Sequence, residues 1–166
     1  MTEMYRITSN PNIGCFYLKR RYLFPYGNSP ATDLTGGCEI KKDVDCLLLA
    51  CGDIRNILCT LTSLAELKIK PKTLNFHVND IEDVILARNL VLLAILDKID
   101  PEESEDMEFL WSVWYDMAIS KVSLQKVRCI IEKLLQHEHP LVKFMTQECD
   151  KEIKTVFKYW LEGKVS

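Results

Sequence analysis

The sequence predicts an α/β fold: a small parallel sheet with flanking helices, followed by a three-helix C-terminal segment. Two observations predict it. A near-continuous apolar run from Val44 to Ala50 leads through a Gly-Asp turn into a helix, and a second strand with an acid-headed helix follows by Leu96. From Pro101 onward the apolar residues recur only at helical spacing.

Residues 1–12 are polar and include a proline, and Cys15 to Phe24 is an apolar and basic run that reads as an early strand or an ordered arm. In Pro25-Tyr26-Gly27-Asn28-Ser29-Pro30 the prolines fix φ while Gly27 and Asn28 tolerate positive φ, so a tight turn is expected. Gly36 and Gly37 mark a loop. Val44-Asp45-Cys46-Leu47-Leu48-Leu49-Ala50 has the pattern of a strand covered on both faces. Past Gly52 the period changes, with Ile54, Ile57, Leu58, Leu61, Leu64 and Ala65 on one helical face and Pro71 closing the segment.

Leu74, Phe76 and Val78 alternate with Thr73, Asn75 and His77, which predicts a second strand. Asn79-Asp80 supplies N-cap chemistry for a helix from Ile81 to about Asp97. That helix is apolar on nearly every side and is expected to lie buried against the sheet. Three amphipathic helices follow. They are marked by Met107, Leu110, Trp111, Trp114 and Met117, then by Leu124 to Leu135, then by Leu141 to Trp160 after the stop at His139-Pro140.

With 166 residues, 48% of them apolar, the chain fits one domain over 1–166, with an α/β half at 16–98 and a helical half at 101–164. A net charge of -3 and a pI near 5.7 argue against a dedicated nucleic-acid or anionic-membrane surface, either of which needs a basic excess. The longest apolar stretch, Val84 to Leu96, is interrupted by Arg88 and Asn89, well short of the ~18 residues a membrane span needs. Seven cysteines, an odd number, with no apolar signal region in residues 1–12, point to reduced thiols in a soluble, cytoplasmic protein.

In a parallel α/β sheet, ligands sit beyond the carboxyl ends of the strands. One such end carries Gly52 and Asp53, with Arg55 and Asn56 opening a helix whose N-terminus favours an anion; the other carries Asp80, suited to ribose hydroxyls. The plainer alternative makes Gly52 a turn glycine and Asp80 an N-cap. The turn at Tyr26, Gly27 and Asn28 reads equally as a lid over this crevice or as a brace for the N-terminal arm.

Other chemistry is weaker. Cys46 and Cys51 diverge between a strand and its turn, and no Cys-x-x-Cys pair exists, so no metal site is expected there. His137 and His139 with Cys149 lack an assured third ligand. Cys51 and Cys59 have only His77 nearby in sequence and read as buried thiols rather than nucleophiles. The acidic run Glu102-Glu103-Ser104-Glu105-Asp106 fits a solvated loop entering a helix N-terminus. Trp111, Trp114 and Trp160 fit a core, with interface anchors as the alternative.

The segment Tyr22-Leu23-Phe24-Pro25-Tyr26-Gly27-Asn28-Ser29-Pro30-Ala31, then Leu47-Leu48-Leu49-Ala50-Cys51-Gly52-Asp53-Ile54-Arg55-Asn56-Ile57-Leu58, then Leu74-Asn75-Phe76-His77-Val78-Asn79-Asp80 with Leu86-Ala87-Arg88-Asn89-Leu90, resembles a known uncharacterised domain. That domain stands at the N-terminus of dynein axonemal assembly factor 3 and in some MYND-finger proteins. Glu108-Phe109-Leu110-Trp111 and Val156-Phe157-Lys158-Tyr159-Trp160 resemble its later landmarks, so the likeness covers most of residues 16–161.

The resemblance implies a partial Rossmann-like fold similar to S-adenosylmethionine-dependent methyltransferases, with Gly52 in the cofactor's glycine turn and Asp80 in the place of the ribose acid. Ala50 and Ile54 depart from it, standing where that turn has its first and third glycines. There is no recognisable fourth strand and no Asn-Pro-Pro-Tyr substrate motif. The expectation is therefore a piece of a longer methyltransferase-like domain, with the second half of the sheet absent. Its open edge and face then call for a cover: the C-terminal helices, a protein partner, a homo-oligomer or the rest of a longer chain.

The function expected is that of a non-catalytic or degenerate methyltransferase-like module for protein interaction or assembly. The alternatives are an S-adenosylmethionine-binding methyltransferase using Gly52, Asp53 and Asp80, and anion or nucleotide binding at the helix beginning near Ile54, assisted by Arg55.

Overall fold

The computed structural model describes residues 5–6, 16–18, 21–23, 29–38, 40, 43–116, 119–136, 140 and 142–162. Three short strands, β1 (Tyr5–Arg6), β2 (Phe16–Leu18) and β3 (Arg21–Leu23), pair antiparallel in that order; β2 and β3 fall in the run from Cys15 to Phe24, and β1 lies in the polar segment before it. Tyr5 stands opposite Tyr17, and Phe16 opposite Leu23.

The second sheet is parallel and has two strands, β4 (Val44–Leu48) and β5 (Leu74–Val78). Cys46 is in register with Phe76, and Leu48 with Val78. The ladder runs past both strand ends, because Asn79 N donates to Leu48 O and Cys51 N to Asn79 O, each at 2.9 Å. Side chains alternate across a pleated strand. Val44, Cys46, Leu48, Leu74, Phe76 and Val78 accordingly share one face and join the core.

The other face corrects an expectation. β4 is covered on one side, not two: Leu47 is 65% exposed, and Leu49 just beyond the strand is 70% exposed. Beside them Asp45 Oδ1 accepts from Asn75 Nδ2 at 3.0 Å and contacts His77 Nε2 at 3.1 Å, all on the exposed side. Apolar composition predicted burial, but no described helix packs on that face.

Five helices are described: α1 (Arg55–Glu66), α2 (Asp83–Leu96), α3 (Ser104–Tyr115), α4 (Lys121–Gln136) and α5 (Gln147–Leu161). α2 is the hub. It packs on α3, α4 and α5, most extensively on α5, which explains why it is apolar all round. Ala87, Leu92 and Ile95 of α2 are fully buried, together with Ile131 of α4 and Phe157 of α5.

Three smaller corrections concern the helices. α2 begins two residues later than the Ile81 expected, with Glu82 as N-cap, and Ile81 itself is almost fully exposed. Trp114 is buried, but Trp111 faces outward. Phe144 and Met145 precede α5 instead of forming its first turn, and Thr146 caps that helix by accepting from Cys149 N at 3.1 Å. Among the described residues no helix is long and apolar enough to cross a membrane.

Candidate functional site

The carboxyl ends of β4 and β5 lie side by side, so the turns after them share one small volume. The first turn reverses direction through left-handed backbone at Ala50 (φ 50°) and Gly52 (φ 58°). Glycine reaches that region without strain, whereas alanine does so at a cost. A Cβ built on Gly52 would meet nothing within 4 Å, so the residue is there for its dihedral and not for lack of space.

The two turns are tied together. Asp80 Oδ2 accepts from Gly52 N at 3.0 Å, and Asp80 Oδ1 accepts from Glu82 N at 3.1 Å. Asp80 thus links the turn after β4 to the entry of α2, and the N-cap role expected of it passes to Glu82. From within α2, Asn89 Nδ2 donates to Gly52 O at 2.7 Å. Both backbone polar groups of Gly52 are therefore taken up by side chains of this chain. Asn89 is 3% exposed, and its Oδ1 has no hydrogen-bond partner among the described residues.

Asp53, 3% exposed, sits at the start of α1. Its Oδ1 accepts from Arg55 N at 3.1 Å and from Arg55 Nε at 2.7 Å. A carboxylate here complements the positive end of the helix. Arg55 also donates through a terminal nitrogen to Ser29 O. Asn56 Oδ1 accepts from Thr32 N at 3.0 Å, and Thr60 Oγ1 accepts from Leu34 N at 2.9 Å while donating to Asn56 O. Arg55, Asn56 and Thr60 together strap the segment from Ser29 to Leu34 along α1. Ile54 is 1% exposed and fills the space behind the turn.

Cys51 projects between these groups, with its Sγ 3.9 Å from Asp80 Oδ2 and 3.7 Å from Asn89 Nδ2. Burial first, and then the Asp80 charge, push its thiol up to about 12. A thiol so poorly ionised is a poor nucleophile at neutral pH. Aromatic residues of α3 border the site: Trp114 stacks on Tyr115 at 5.5 Å, and burial raises the Tyr115 phenol, with the Asp53 charge acting in the same direction. Arg88 donates to Trp114 O, tying α2 to the end of α3.

Gly52, Asp53, Arg55, Asn56 and Asp80 are thus brought together around one strand end. Tyr26, Gly27 and Asn28, read as a lid or a brace, lie outside the described residues, as do His137 and His139. Asn89 was the residue that sequence reasoning passed over as a functional group, although a polar Arg88-Asn89 pair inside an apolar helix was its signal. Among the described residues no group of three or more His, Cys, Asp or Glu is arranged to hold a metal ion.

A two-stranded parallel sheet accompanied by five described helices defines a mixed α/β protein. The chain belongs to the family described as Domain of unknown function (DUF4470), whose profile matches residues 25–119, more than half its length. Nothing among curated proteins or solved structures matches the chain.

Proposed function

We propose that this chain is a degenerate, Rossmann-like and methyltransferase-like module that serves protein interaction or assembly, not catalysis. The observation that carries the reading is the closure of the strand-end turn. Gly52 N and Gly52 O are both bonded internally, to Asp80 and Asn89, and Ile54 occupies the position of a third glycine. A cofactor needing those backbone groups would have to displace charge-assisted and buried hydrogen bonds.

Ala50 supports the same descent. It holds the left-handed conformation that a glycine would hold at the first position of a methyltransferase turn. The exposed Leu47 and Leu49 on the open sheet face support a partner, whether another protein, a second copy or further chain. The resemblance to the N-terminal domain of a dynein axonemal assembly factor favours assembly. The described cysteines are free thiols, which suits a cytoplasmic setting.

One observation favours the rival reading, an S-adenosylmethionine-binding methyltransferase. Asn89 Oδ1 is a buried acceptor beside the turn without a donor among the described residues, and an adenosyl ligand carries donors. Anion binding near Ile54 has less support, because the Asp53 carboxylate already lies at that helix terminus and Arg55 is paired with it. The deciding experiment is titration calorimetry with S-adenosylmethionine and with its demethylated product. The expected result is no heat from either; tight binding that Asp80→Ala abolishes would establish the enzyme instead.

A further inference from the structure

An open groove of about 700 Å³ lies between the C-terminal end of α2, α3 and α4. Its apolar lining includes Ile95, Ile99, Phe109 and Ile130. Four lysines, Lys98, Lys121, Lys126 and Lys133, stand in the same lining, against a single carboxylate, Asp106. The Asp106 carboxylate is itself occupied, since its Oδ2 accepts from Asp100 N at 3.0 Å. In a chain of net charge -3, this is a local inversion of sign.

We infer that this groove receives an acidic amphipathic helix of a partner protein. The inference rests on the interaction reading above and supplies its partner class. The charge is available: among the described residues no carboxylate pairs with Lys121, Lys126 or Lys133, and only Lys98 is paired, with Asp97 at 2.8 Å. Lys126 Nζ lies over the Phe109 ring, 5.1 Å from its centroid, so one of these charges sits beside the apolar lining.

The spacing selects a helix. Lys121, Lys126 and Lys133 all belong to α4, and at 1.5 Å per residue they spread over roughly 18 Å. One small anion cannot span that length, whereas acidic residues along three turns of a helix can. Aliphatic anchors at i, i+4 and i+7 on the same helix would then enter the apolar floor. The N-terminus of α4, where Ser123 N donates to Ser120 Oγ at 3.0 Å, adds positive potential at one end. The lining offers one aromatic ring where single-stranded nucleic acid would need a stacking series.

The test is fluorescence anisotropy with a labelled 18-residue peptide, rich in glutamate and carrying leucine at i, i+4, i+7 and i+11. Saturable binding that weakens with salt is expected, together with a loss of about tenfold or more on pairing Lys126→Glu with Lys133→Glu. Lys70→Glu, which is not in the groove's lining, should leave affinity unchanged. A glutamate-matched peptide with serine for leucine should not bind. Equal binding by that control, an equal loss with Lys70→Glu, or binding only to phosphatidylserine vesicles would overturn the inference. Absence of peptide binding together with silence toward S-adenosylmethionine defeats this inference alone; absence of peptide binding with tight cofactor binding defeats the proposed function as well.

Discussion

The Asp80 carboxylate accepts the Gly52 amide at 3.0 Å, joining two turns that are 28 residues apart in sequence. Together with Glu82 N on its other oxygen, Asp80 holds the ends of β4 and β5 and the start of α2 in one arrangement. This one side chain ties the two strand-end turns to each other.

Replacing Asp80 by alanine strands both amides in a partly buried place. The expected cost is about 1–3 kcal/mol, read as a fall in the urea midpoint with an unchanged slope. Asp80→Asn, which keeps one acceptor, should cost less. Equal stability of Asp80→Ala and the parent would mean that the clamp does not hold the turns.

The left-handed residues of the turn behave oppositely on substitution. Gly52→Ala finds open space but the wrong dihedral, so it should destabilise by about 1–2 kcal/mol. Ala50→Gly relieves strain but raises the entropy of the unfolded chain, leaving a net change within about 1 kcal/mol. Paired thermal melts of the two variants separate dihedral strain from steric crowding.

Asn89→Ala removes the donor to Gly52 O from a nearly sealed position. A loss of about 1–3 kcal/mol is expected, with faster hydrogen exchange in the turn from Ala50 to Asp53. Exchange unchanged at those amides would place the turn's rigidity elsewhere.

Thiol labelling should be strongly selective. At pH 8 a thiol with a pKa of about 12 is ionised in only about one molecule in ten thousand, so Cys51 should resist iodoacetamide in the folded protein. The exposed Cys38 and Cys129 should be alkylated first. Mass mapping that found Cys51 modified as early as these would contradict the burial and charge described around it.

Acid stability should depend on Asp45 and Asp33. Hydrogen bonds from His77 and Asn75 lower Asp45, and those from Thr35 lower Asp33, below the ordinary 3.8. A carboxyl lowered in the folded state contributes stability above its unfolded pKa and loses it as pH falls through the folded value. Carboxyl carbon titrations should therefore show midpoints below 3.8 for both. Asp45→Asn should flatten the dependence of the melting temperature on pH below about 4.

Much of this architecture was legible in the residues. The period change at Gly52 marked β4 and α1, the alternation from Leu74 to Val78 marked β5, and the unbroken apolar surface of α2 marked a buried helix, expected against the sheet but packed mainly on α3, α4 and α5. The candidate groups Gly52, Asp53, Arg55, Asn56 and Asp80 were legible because strand ends and helix N-termini attract a small set of residue types. The uses of those groups were not legible. Asn89 lies 37 residues from Gly52, and Asp80 lies 28, so local pattern has no access to either bond.

The open face of β4 shows the same limit from another side. Leucine at 47 and 49 is what a doubly covered strand would carry, and sequence does not say which helix will arrive to cover it. The sequence by itself determined the order and type of the elements, because periodicity and turn chemistry act over a few residues. Only the tertiary structure decided that Asp80 and Asn89 would bond both backbone groups of Gly52, that Arg55 and Asn56 would hold the preceding segment, and that four lysines would gather around one apolar groove. Those outcomes depend on how α2 packs against its neighbours, and packing is a property of the whole chain.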